Sequence, residues 1–324
     1  GDVQRAHMVL GLLQTPKETA GDLIVRAHRM REVFGEVVPQ EMRGVLLQAE
    51  EFAENSSEWS SCSRAWRCLL DDLPRARYCW SRAEETAHTV SDYSSCAYAC
   101  RDLCDAEEGQ RIRGYATKAM KLVAGMDDWF TVARIWHTTE DSSGLNHARQ
   151  CLLRAEEFST TPDDWATCAQ QWDSLFHGSA YAEVVRCMNF AEGLSGRNWL
   201  SVILTWYGLF SIRPEWTLCD YEPDVLMEYQ RRYEQSIQHM EACCPSCCDW
   251  LDVALQMFMR DCSYDQCERF MLKAETLATT KGDWLNCSSI WALSTQANHR
   301  ENALVCKKRA VQLPATGGHV ADRK

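Results

Sequence analysis

A large side chain recurs along this sequence at Leu23, Trp59, Tyr93, Trp129, Trp165, Trp199, Trp250 and Trp284. The successive intervals are 36, 34, 36, 36, 34, 51 and 34 residues. A fixed period of this length is the mark of supersecondary units stacked in a row, each too small to bury its apolar face alone. The interval of 51 is one period with about 17 residues added.

Before each anchor stands an acid or an amide: Asp22, Glu58, Asp92, Asp128, Asp164, Asn198, Asp249 or Asp283. Such side chains accept hydrogen bonds from the free N–H groups of a first helical turn and suit the positive end of the helix dipole. Each anchor is therefore expected to begin a helix. Residues 164–172, DWATCAQQW, carry the figure most clearly. Three and four positions after the anchors come small pairs: Cys62 and Ser63, Cys96 and Ala97, Val132 and Ala133, Cys168 and Ala169, Cys287 and Ser288. At seven stand Trp66, Cys100, Trp136, Trp172, Trp206, Met257 and Trp291. Offsets of zero, three, four and seven share one helical face.

A second helix is predicted in each unit from an apolar or small residue, another four on, and alanine at seven. The strong copies are Ala76, Trp80 and Ala83; Ala148, Leu152 and Ala155; Val184, Met188 and Ala191; and Cys267, Met271 and Ala274. Weaker ones are Met42, Leu46 and Ala49; Ile112, Ala116 and Ala119; and Ala303, Lys307 and Ala310, where Lys307 breaks the apolar character. Leu73-Pro74 and Asp141-Ser-Ser-Gly144 are turn signals between the helices.

This pattern resembles the tetratricopeptide repeat, whose signature is Trp, Leu, Gly and Tyr at offsets zero, three, four and seven of a first helix, then Ala and Phe on a second. Trp165, Cys168, Ala169 and Trp172, followed by Val184, Met188 and Ala191, reproduce the offsets. Ala or Ser replaces Gly, the turn is one to three residues longer, and the terminal Pro is mostly missing. The resemblance covers residues 22–311 and implies an all-α fold, a right-handed α-solenoid of about eight helix-turn-helix repeats.

Five segments follow. Residues 1–21 read as a truncated repeat or capping helix, with residues 8–13 as its second helix. Residues 22–206 hold five repeats and the first helix of a sixth. Residues 207–249 form an irregular insertion, broken at Pro214, then a long helix reaching about Cys244. Repeats seven and eight span 250–311, and 312–324 is an expected disordered tail. LPATG at 313–317 resembles a sortase sorting signal, but the apolar span and basic cluster such signals need do not follow it. Gly1 leads and Met8 is the first methionine, as in a piece of a longer protein.

Thirty-four Lys and Arg against 46 Asp and Glu give a formal charge of -12, which argues against nucleic-acid or anionic-membrane binding. No apolar run approaches the roughly 20 residues of a bilayer span. Of the 18 cysteines, ten hold repeat-equivalent positions: Cys62, Cys96, Cys168, Cys287, Cys79, Cys151, Cys187, Cys306, Cys100 and Cys267. There a free thiol acts as a small hydrophobe, so a reducing cytoplasm is expected rather than a disulfide framework. Twelve of 13 tryptophans belong to the packing pattern, leaving Trp216.

No Gly-rich phosphate loop, HExxH or GxSxG motif occurs, so no catalytic residue, enzyme activity or cofactor is assigned. The expected function is an interaction scaffold holding a peptide or partner protein in a concave groove. In proteins of this type the residues five and eight beyond each anchor face that groove. In the first half these include His28, Arg31, Arg64, Arg67, Tyr98, Arg101, Arg134 and His137. Gln170 and Asp173 mark a transition, and Leu204, Tyr207, Leu255 and Phe258 make an apolar half. The arginines suit acidic groups or a C-terminal carboxylate. They could equally pair with neighbouring acids, and the insertion or another subunit could cover the apolar half, in a homo-oligomer or a larger assembly. An alternative is a metal- or thiol-active protein built on His239, Cys243, Cys244, Cys247 and Cys248, although no second distant Cys/His pair follows at zinc-ribbon spacing. A third reading is the regulatory or sensor arm of a multidomain protein.

Overall fold

The computed structural model describes residues 18–35, 39–103, 107–196, 199–211, 222–243, 246–259, 264–294 and 296–313. Among them the regular elements are all helical, as the periodicity predicts. The expected helix at residues 8–13, Trp216 and the tail beyond Leu313 lie outside the described residues.

The helices pack in neighbouring pairs. In one compact unit, Gly1–Phe158, α1 (Ala20–Phe34) packs on α2 (Pro39–Phe52), and α3 (Ser56–Leu70) on α4 (Leu73–Glu85). There α5 (Val90–Asp102) packs on α6 (Glu108–Met120), and α7 (Met126–His137) on α8 (Ser142–Glu156). In a second unit, Ser159–Lys324, the pairs are α9 (Pro162–Phe176) with α10 (Tyr181–Ser195) and α11 (Leu200–Ser211) with α12 (Pro223–Ala242). They continue as α13 (Cys247–Met259) with α14 (Tyr264–Leu277) and α15 (Lys281–Trp291) with α16 (Ala297–Gln312). Within the first unit α3 packs on α1, α5 on α3 and α7 on α5; within the second, α11 on α9, α13 on α11 and α15 on α13. First helices thus stand side by side inside each unit.

The helices begin earlier than expected from the acids. In α9 the N-cap is Thr161, whose hydroxyl accepts from the Asp164 N–H at 3.2 Å while the Asp164 carboxylate accepts from the Thr161 N–H at 2.9 Å. The acid is the third helical residue of a capping box, and the anchor is the fourth. Thr19 with Asp22, Thr89 with Asp92 and Thr280 with Asp283 repeat the arrangement. Helix α7 opens on Gly125 with no side-chain cap, yet Asp128 still accepts from the Ala124 N–H at 2.8 Å. These bonds to the ionised form hold the Asp22 and Asp164 carboxyls below the ordinary value of 3.8. At α8, Asp141 accepts from the Gly144 N–H at 2.7 Å. A Cβ on Gly144 would lie 1.7 Å from Thr139 Oγ1 and 2.7 Å from the Trp136 carbonyl oxygen, so only glycine lets this turn close.

The core follows the offsets. Trp66, Trp172, Trp206 and Trp291 are fully buried at the seventh position, and Cys62, Ala97, Ala133 and Ala169 are buried between them. Truncating one of these indoles to alanine would cost about 3–5 kcal/mol. The ten framework cysteines are all buried free thiols. Loss of solvation pushes Cys62, Cys151 and Cys306 up to about 12.

A second device joins several successive pairs, one residue past the alanine of the second helix. Trp66 Nε1 donates to Glu50 at 2.6 Å, Trp206 Nε1 to Glu192 at 2.8 Å, and Trp291 Nε1 to Glu275 at 2.7 Å. Arginines of the following pair approach the same carboxylates: Arg75 pairs with Glu50, Arg232 with Glu192 at 3.9 Å, and Arg309 with Glu275 at 3.8 Å. Cys306 Sγ also donates to Glu275, at 3.2 Å. Tyr115, which holds the corresponding position of α6, donates to Glu84 at 2.6 Å. Each glutamate thus bridges its own hairpin to the next through directional, charge-assisted bonds.

Candidate functional site

The arginines of the first unit lie on its row of first helices. Arg31, Arg67, Arg101 and Arg134 all fall in the last turn of their helices, where a cation meets the negative end of the helix dipole. That is one physical reason for their recurrence.

Arg64, Arg67 and Arg101 converge on Asp102, at the end of α5. Arg64 Nε donates to its carboxylate at 2.6 Å, Arg67 Nε donates to its carbonyl oxygen at 3.3 Å, and Arg101 lies 3.8 Å from its carboxylate. Arg67 also pairs with Asp71, and Arg101 lies over the Tyr98 ring at 5.4 Å. Asp102 and Asp71 thus each draw guanidinium groups of this set. The Arg64 and Arg101 side chains remain 54% and 42% exposed. Arg31 donates to the Leu69 carbonyl beside a cleft of about 380 Å³ lined also by Met42, Cys68 and Asp71. Arg134 donates to Thr131 at 3.1 Å. His28 is exposed and His137 half-buried. Asp71 and Asp102, twelve and nine residues beyond their anchors, follow no repeat offset, so periodicity gives no signal for them.

In the second unit the expected apolar residues divide. Leu204 and Tyr207 are buried, Tyr207 against Phe210 and Tyr233 with ring centroids 5.4 and 5.5 Å away. Leu255 and Phe258 are half-buried. Asp173 is buried, while Gln170 is exposed and donates to Thr205 Oγ1 at 2.9 Å. Gln170 and Leu204 meet in a cleft of about 300 Å³ between first helices, with Asp163, Leu200, Ser201 and Gln256 on its wall.

The cysteine-rich turn is dispersed. Cys247 is buried with Sγ 4.0 Å from that of Cys287, a framework thiol of α15. Cys243 Sγ lies 3.6 Å from the Gly196 carbonyl oxygen, Cys248 is exposed, and the His239 ring stacks on Trp199 at 5.1 Å. Cys244 lies outside the described residues. Among the described residues no three His, Cys, Asp or Glu side chains are grouped as a metal site. No described helix is long and apolar enough to cross a membrane.

No protein-family model and no curated protein matches this chain.

Proposed function

We propose that this chain is a tetratricopeptide-like scaffold of about eight hairpins with right-handed winding, and that the first-helix face of its first unit binds an acidic peptide or the C-terminal carboxylate of a partner protein. The observation that carries this reading is the convergence of Arg64, Arg67 and Arg101 on Asp102 with much of their surface still in water. The ion pairs of Arg64 with Asp102 and of Arg67 with Asp71 hold these guanidinium groups in orientation, while the Arg64 and Arg101 side chains keep 54% and 42% of their surface in water. A ligand carboxylate meets prearranged donors in a protein whose overall charge would otherwise repel it.

The test is a fluorescence-anisotropy titration with fluorescein-labelled hexaglutamate, as free acid and as C-terminal amide. The triple variant Arg64→Glu, Arg67→Glu, Arg101→Glu is expected to weaken binding more than tenfold with an unchanged helical circular-dichroism signal. Equal affinity in the folded variant would sink the proposal. Loss on amidation alone would single out a terminal carboxylate.

A further inference from the structure

The cleft in the second unit carries a different chemistry from the arginine face. Leu200 and Leu204 of α11 supply its apolar wall, and Gln170 and Gln256 place carboxamides on its two sides from α9 and α13. Asp163 is the one charged residue of the lining, and its carboxylate makes no ion pair among the described residues.

Two side chains of the lining, both exposed, are left with unused bonding capacity. Gln170 uses one amide hydrogen on Thr205, leaving its carbonyl oxygen available, and the Gln256 carboxamide has no partner among the described residues. Carboxamides, which both donate and accept, match a peptide main chain, which also does both. A volume of about 300 Å³ sits at the low end of small-ligand sites, roughly 300–1,000 Å³. It suits one or two residues rather than a folded domain.

We propose that this cleft binds a short extended peptide segment carrying an aliphatic side chain next to a basic one. The aliphatic group lies against Leu200 and Leu204, the main chain bonds Gln170 and Gln256, and the cation pairs with Asp163. This deepens the scaffold reading and rests on it. The two units then select opposite charges.

The probe is an array of heptapeptides with every combination of Lys, Glu, Leu and Ser at the three central positions, read with the labelled full-length chain. Sequences pairing Lys with Leu are expected to give the strongest signal. Asp163→Lys, on an exposed position, should lower it at least tenfold, and Gln256→Ala about threefold, with melting temperatures kept as the folding control. Arg64→Glu with Arg67→Glu should leave it untouched. Indifference to Asp163→Lys, or equal signal from Glu-Leu and Lys-Leu peptides, overturns the proposal. Arginine-dependent binding of Glu-rich peptides in that case would leave the scaffold reading standing. Absence of binding to every peptide would remove both.

Discussion

Two seams of the first unit solve one packing problem differently. Where α3 meets α2, the buried Trp66 indole donates to Glu50, which also holds Arg75. Where α7 meets α6, Met120 stands in the place of that glutamate, one residue past Ala119. Trp136 Nε1 is there a buried donor with no partner among the described residues, its ring stacked on His147 at 4.3 Å. The thiols report the same contrast. Cys79, on the Glu50 side, is pushed up by burial and then by Glu50 itself, whereas burial alone raises Cys151. Area buried by the indole and bonding of its N–H are thus separable: a seam can form on the first without the second.

The strongest way to break the contrast is Glu50→Ala, which turns the first seam into a harsher version of the second. Both the Trp66 N–H and the Arg75 guanidinium would lose their carboxylate. Leaving the buried Trp66 N–H unpaired should cost about 1–3 kcal/mol in urea unfolding, while Arg75, 39% exposed, turns to water. A loss under 1 kcal/mol would show that water replaces the glutamate.

Next is pH. An unfolded thiol ionises near 9.0, and Cys151 in the fold near 12. Its stabilisation is therefore complete below pH 9 and is lost as pH rises from 9 towards 12. At pH 10 the deficit is about 1.4 kcal/mol for one such thiol. Cys151→Ala should flatten the alkaline limb by that amount between pH 8.5 and 10, and an unchanged slope would place Cys151 in contact with solvent.

The smallest effect sharpens the comparison from the other side. Met120, 39% exposed, replaced by glutamate should bond Trp136 Nε1 and raise stability by about 1 kcal/mol at pH 7, as seen in the urea midpoint. The same variant made with Trp136→Phe should show no gain. A gain in both would mean that the charge acts elsewhere.

Much of this architecture was legible in the anchors. Offsets of zero, three, four and seven on one helical face locate the paired helices and predict that Trp66, Trp172, Trp206 and Trp291 are buried. What periodicity reports is which side of a helix is apolar, and it says little about where the helix starts. The acids before the anchors therefore read as caps, although the threonines three residues earlier cap the helix. The glutamates after Ala49, Ala191 and Ala274 also recur at a fixed position, but a glutamate late in a helix reads as a solvated residue until the partner indole is in place. The division into two units after Phe158 has no mark in the period, since the interval from Trp129 to Trp165 is an ordinary 36. For the candidate site, sequence places the arginines on first helices. It cannot tell which acids they meet, because Asp102 and Asp71 come from positions outside the pattern.

Met120 has a mechanical consequence as well. A hydrogen bond from an indole to a carboxylate is directional and resists sliding of one hairpin over the next, so Glu50, Glu192 and Glu275 act as keys in slots. A methionine side chain in that place has no such directional preference and accommodates small displacements. The joint between α6 and α7 lacks such a key at its buried indole, so its register rests on side-chain packing alone.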